Sequence, residues 1–170
     1  MILYDKIDFR TLDFEFKGRS YKKELLNEMK NLINKINSST KNKHEMTSED
    51  FVGVATGYNL ILTDENCGGY CDRDNMEIAI NENNIDSKSV IIHECCHVLQ
   101  YNVGLIDNCD RILLSDNLKF EQQCETMAYL INLKLFDSDR PEDYTSYFSK
   151  EDARFLINWY GSNLQNDINV

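Results

Sequence analysis

A chain of 170 residues, 42% hydrophobic and 28% charged, has the balance of a soluble globular domain with enough length to bury a substantial core. Its net charge of −11 disfavours nucleic acid and anionic membrane surfaces as partners, because both would repel it. No apolar run approaches the ~20 residues that cross a bilayer. Met1 to Asp5 lacks the basic and long apolar regions of a signal peptide, so a cytoplasmic location is expected.

In chain order, the first predicted element is an amphipathic helix from Ser20 to Asn37. Leu25, Leu26, Met29, Leu32, Ile33 and Ile36 follow helical spacing, and Ser20 is the candidate N-cap. Ser38 to Asp50 is polar and linker-like, with His44 expected to be exposed and unengaged. Phe51 to Thr56 and Tyr58 to Thr63 are short β-rich runs around Gly57 and read as strands. Gly68-Gly69 and Asp72 to Asn75 supply turn chemistry around Tyr70-Cys71, and Met76 to Asn81 alternates like a half-buried strand.

The turn from Asn83 to Ser87 ends in two candidate N-caps, Asp86 and Ser87, for the next helix. Asn102 to Arg111 reads as a loop around Gly104. Ser115 or Asp116 caps a helix from about Asn117 to Phe136, which Asp137 to Pro141 breaks. A capping-box variant at Ser149 to Asp152 opens a last helix ending near Gly161, with Phe155, Leu156, Trp159 and Tyr160 facing the core. The pattern predicts an α+β fold with a small mixed sheet in one domain spanning residues 1–170.

Of six cysteines, Cys95 and Cys96 are adjacent, where a bridge would be strained, and reduced thiols are expected. Cys67 and Cys71 are spaced like half of a metal knuckle, but no second such pair exists. They read as incidental thiols in a glycine-rich turn.

The feature that carries chemistry is His93-Glu94-Cys95-Cys96-His97, an H-E-x-x-H motif inside a predicted helix. Histidines four residues apart share one helical face and can close on a single metal ion. Glu94 is turned by about 100° from His93, beside the open side of such an ion, where it can act as a base toward a water. Only three histidines occur in the chain, and two of them are in this motif.

A catalytic zinc takes three protein ligands and keeps a fourth position open. No histidine follows His97, so the third ligand should be a carboxylate. Glu121 and Glu125, four residues apart on the next helix, both point to one face. One can bind the metal while the other accepts a hydrogen bond from a ligand imidazole.

With these residues the chain resembles the gluzincins, zincin metallopeptidases whose downstream helix supplies a glutamate ligand. Glu121, Cys124, Glu125 and Ala128 fit the frame of that helix, and 23 residues separate His97 from Glu121. The resemblance implies a zincin-like fold, one Zn2+ held by His93, His97 and Glu121, Glu94 as the catalytic base, and Glu125 as the acid that orients a ligand histidine. Glu125 stands where Asp or Asn is more usual, which leaves an exchange of roles with Glu121 open. Compact size resembles the minimal ImmA/IrrE-like members found in bacteria and mobile elements. Met76 to Asn81 resembles the edge strand along which zincins align an extended substrate. The resemblance covers Met76 to Ala128.

The expected function is therefore zinc-dependent hydrolysis of a peptide or restricted protein substrate. Tyr129, Tyr144, Tyr147 and Tyr160 are candidate oxyanion donors. A catalytically silent zinc-binding module is the alternative. Abundant Asn, Lys and Ile fits an AT-rich bacterial or phage genome, with the cytoplasm of the bacterium or of the phage host as the setting.

Overall fold

The structure, a computed structural model, describes residues 4–8, 12–16, 18–66, 68–106 and 114–136, with Glu151, Arg154, Phe155 and Asn158. Three short strands open it: β1 (Tyr4–Asp8), β2 (Asp13–Phe16) and β3 (Arg19–Ser20), paired antiparallel in that order. No element is expected there from the sequence, although Leu12 to Phe16 alternates apolar and charged residues. Helix α1 (Lys22–Asn37) follows, with Leu25, Met29, Leu32, Ile33 and Ile36 buried and Leu26 half-buried, as its periodicity requires. Its N-cap position is Tyr21, not Ser20. Ser20 lies in β3, and its hydroxyl accepts the Lys22 N–H at 3.4 Å.

The run from Phe51 to Thr56 is helical, not a strand. It belongs to α2 (Ser48–Thr56), which also takes up the end of the polar stretch. Capping outweighs β propensity here. Thr47 accepts the Asp50 N–H at 3.1 Å, and Gly57, in the left-handed region at φ 77°, closes the C-terminus with its N–H on Gly53 O. Phe51, Val52 and Ala55 are then buried on one face. His44 is exposed but not unengaged, since its ring stands edge-on to Phe136 with centroids 5.7 Å apart.

A second sheet is mixed: β4 (Asn59–Thr63), β5 (Gly69–Asp72) and β6 (Glu77–Asn81) lie in the order β4-β6-β5. β4 runs parallel to β6 and β5 runs antiparallel to it. The segment expected to be an edge strand is thus the central one. Ile78, Ala79 and Ile80 are all buried, so both faces of β6 are covered, whereas an edge strand with one wet face would alternate. Met76, at φ 51°, belongs to the preceding turn.

A 3-10 turn at Glu82–Asn84 leads to Ser87, which caps α3 (Lys88–Asn102) by accepting the Val90 N–H at 3.5 Å. Ile91 to Cys96 and Val98 to Tyr101 are buried, so α3 is covered on nearly every side, with α4, α2, α1, β5 and β6 packed around it. Helix α4 (Leu114–Phe136) begins about a turn before the expected start and places Ser115 and Asp116 inside the helix. Of the expected C-terminal helix, Glu151, Arg154, Phe155 and Asn158 are helical, and Phe155 is 39% exposed instead of core-facing. Leu156, Trp159 and Tyr160, with the expected cap Ser149, lie outside the described residues, as do 107–113 of the expected loop. Among the described residues no helix is long and apolar enough to cross a membrane.

Candidate metal centre

Helical spacing on α3 sets His93 and His97 one turn apart, their ring centroids separated by 4.8 Å and their planes inclined by 80°. α4 packs across this face and brings Glu121 to both rings. Glu121 Oε2 lies 2.7 Å from His93 Nε2, and Glu121 Oε1 lies 3.2 Å from His97 Nε2. Glu125, one turn further along α4, places Oε1 2.5 Å from His93 Nδ1. The two glutamates thus approach opposite nitrogens of the His93 ring, Glu121 on the side shared with His97.

The far side of His97 is held by Gln100, whose Oε1 lies 2.9 Å from His97 Nδ1. The Gln100 amide nitrogen donates to Phe120 O at 3.2 Å and to Gln123 Oε1 at 2.7 Å. Gln100 is a site residue that the motif reading misses, although its i, i+3 spacing from His97 on one helical face was available to find it.

Cys124, between the two glutamates, is fully buried and donates its thiol to His93 O at 2.9 Å. Ligand atoms of His93, His97 and Cys124 all lie within 4.8 Å of one another, a group that could hold a metal ion. Burial, reinforced by the neighbouring Cys96 thiol, pushes the Cys124 pKa well above its usual value in the metal-free protein. Glu121 behaves oppositely. Burial alone would raise its pKa, but hydrogen bonds from His93 and His97 more than offset this and hold its carboxyl well below the usual range. An ionised carboxylate meeting two imidazole nitrogens is a donor set that fits a divalent cation. Bonds of about 2.0–2.1 Å in a tetrahedron give ligand separations of about 3.3 Å, close to the 3.2 Å between Glu121 and His97 and wider than the 2.7 Å between Glu121 and His93, which a bound ion would have to open.

The same contacts determine how the imidazoles titrate. Burial disfavours the imidazolium of His93, yet Glu121 and Glu125 together hold its pKa well above the usual value. His97 is raised as well, burial being overcome chiefly by Glu121. Metal binding at this site therefore has to displace protons.

Glu94 is only 5% exposed, and its Oε2 has no hydrogen-bond partner among the described residues. Burial pushes its carboxyl upward, partly offset by His97 and His93. β5 passes over it at Gly69, close to the Glu94 Cγ. Of the tyrosines considered as oxyanion donors, Tyr129 is fully buried and eight residues along α4 from Glu121, about 12 Å at ~1.5 Å per residue. That position belongs to the core. Tyr144, Tyr147 and Tyr160 lie outside the described residues, as does Cys67. None of the described cysteines, Cys71, Cys95, Cys96 and Cys124, is in a disulfide.

A cavity of about 530 Å3 sits elsewhere, at the N-terminal ends of α2 and α3 against β4, with Met46, Phe51, Leu60, Leu62, Ile91 and Phe136 in its wall. None of the site residues lines it. Comparison of the chain with protein-family models, with curated proteins and with solved structures finds no match.

Proposed function

We propose that this chain is a zinc-dependent peptidase of the gluzincin kind, with His93, His97 and Glu121 as metal ligands and Glu94 as the catalytic base. The observation that carries the reading is the convergence of both Nε2 atoms on the two oxygens of Glu121, at 2.7 and 3.2 Å. Glu121 is preferred to Cys124 as third ligand because its two oxygens meet both Nε2 atoms, while the Cys124 thiol is turned to His93 O. Glu125 is the orienting acid, set against His93 Nδ1. The N/O donor set and the H-E-x-x-H frame favour zinc among divalent metals.

When bound, zinc supplies a Lewis acid for the scissile carbonyl and acidifies a water. His93 and His97 contribute neutral Nε2 donors, and Glu121 contributes the negative charge. Glu94 Oε2 takes a proton from the water as its oxygen bonds to the peptide carbonyl carbon. Glu94 then returns the proton to the amide nitrogen as the C–N bond breaks. Its lack of another partner leaves that oxygen available for both transfers. β5 ends the strand order β4-β6-β5 and packs beside α3, the position at which an extended peptide would add to the sheet as a strand.

Burial of Glu94 beneath Gly69 favours a second reading, a metal-binding module without turnover. Metal analysis and one variant separate the two. Purified wild type should hold about one zinc per chain, lost in Glu121→Ala and largely retained in Glu125→Ala and Glu94→Gln. Hydrolysis of a peptide library by wild type and not by Glu94→Gln supports the peptidase. Equal silence of both supports the module. Absence of zinc from wild type, even after incubation with it, overturns both.

A further inference from the structure

We infer that Gln100 is a positioning residue that fixes the tautomer of His97, and that the two ligand histidines are tuned unequally, His93 by an anion and His97 by a neutral amide. This rests on the reading of His93 and His97 as metal ligands. The orientation of the Gln100 amide follows from its partners. Phe120 O, a backbone carbonyl, can only accept, so the group facing it at 3.2 Å is the amide nitrogen. Gln123 Oε1 accepts from the same nitrogen at 2.7 Å. Oε1 of Gln100 is therefore the atom facing His97 Nδ1 at 2.9 Å, and Nδ1 must carry the proton. The proton that Nε2 shares with Glu121 is then the one a metal on that side would displace.

Gln100 is fully buried, and Gln123 behind it is too, so water cannot replace either hydrogen bond. The amide acceptor makes His97 unlike its partner. His93 Nδ1 meets the carboxylate of Glu125 at 2.5 Å, and an anionic acceptor draws more strongly on the N–H and leaves Nε2 the better electron donor. His97, facing an uncharged amide, is the weaker donor of the pair, and its strength is set by a residue outside the H-E-x-x-H motif.

Two Gln100 variants and two readouts test this. Two-bond 15N–1H correlation spectra of metal-free Glu121→Ala protein, in which no carboxylate competes for His97 Nε2, are taken at alkaline pH where the imidazoles are neutral; they read the tautomer directly, and three histidines make assignment simple. Zinc affinity is read by competition with a chromophoric chelator. In the Glu121→Ala background His97 should be Nδ1-protonated with Gln100 in place and with Gln100→Glu, and should change to the Nε2–H form with Gln100→Leu. Zinc affinity should fall about 10–100-fold in Gln100→Leu and equal or exceed wild type in Gln100→Glu. An unchanged His97 tautomer in Gln100→Leu overturns the inference, as does a loss of affinity in Gln100→Glu matching that of Gln100→Leu. If Gln100→Leu fails to fold, Gln100→Glu decides alone, by keeping the tautomer and the affinity or by losing them. A wild type that binds no zinc overturns the peptidase reading and the tuning of ligands with it. The tautomer spectra would still decide whether Gln100 orients His97.

Discussion

Gly69 of β5 sits over Glu94 of α3 so closely that a Cβ added at Gly69 would lie 3.3 Å from the Glu94 Cγ. The same Cβ would stand 2.7 Å from Ala79 O and 3.1 Å from Ile80 Cδ1. Backbone on one side and the Glu94 side chain on the other leave no direction of relief. Gly69→Ala should therefore push β5 off β6, displace Glu94, or both. A destabilisation of about 1–3 kcal/mol is expected from overpacking, read as a lower urea midpoint, and the proposed peptidase activity should fall by more than the loss of folded protein explains. Unchanged stability and turnover would mean that the roof over Glu94 yields freely.

Gly53 provides the opposite case. It lies inside α2, where a Cβ would meet nothing within 4 Å, so only the conformational cost of glycine in a helix remains. Gly53→Ala should stabilise the protein by about 0.5–1 kcal/mol without altering zinc content or activity. A drop in stability would show that α2 is not helical at this position in solution.

Thr47 holds the start of the same helix, its hydroxyl accepting the Asp50 N–H at 3.1 Å. Thr47→Ala should cost about 1 kcal/mol, and Thr47→Ser or Thr47→Asp should restore most of it. Equal stability of all four proteins in chemical denaturation would remove the cap from the account of why this segment is a helix.

That account matters because α2 is where sequence reasoning fails, and the failure is physical. Phe51-Val52 and Val54 to Thr56 carry β-branched and aromatic residues that favour strands, while the helix is decided by Thr47 before them and Gly57 after them. β6 shows the same limit. Its pattern reads as alternation, but Ala79 is as buried as Ile78 and Ile80, because β4 and β5 flank the strand and α3 packs against it. Strand order is set by long-range pairing that no local pattern encodes. The convergence of the candidate site was far more legible: His93 and His97 on one turn, Glu121 and Glu125 on another, need only two helices packed face to face to meet. What remained hidden was whatever reaches the centre from outside those spacings, Gly69 from β5 and the Gln100–Gln123 relay.

The raised pKa values of His93 and His97 give the metal-free protein a definite pH profile. Each histidine binds its proton more tightly when folded, so its contribution is fully present below the usual 6.5 and is lost as pH rises through the raised folded values. Glu94, also raised, acts in the same direction from its usual 4.5 upward. Glu121 acts oppositely: its pKa is lowered, so its contribution is present above 4.5 and is lost as pH falls toward the folded value. Chelator-treated protein should therefore be most stable in weakly acidic solution and should lose thermal stability as pH rises above 6.5. Zinc competes for the same nitrogens, so its affinity should strengthen as pH rises, with protons released on binding. The stabilisation it gives should be greatest where the metal-free protein is weakening. Thermal denaturation from about pH 4 to about pH 9, with and without zinc, measures both trends together with buffer-dependent binding calorimetry. A metal-free profile that is flat across neutral pH, or zinc binding without proton release, would show that these histidines do not share their protons with Glu121 and Glu125.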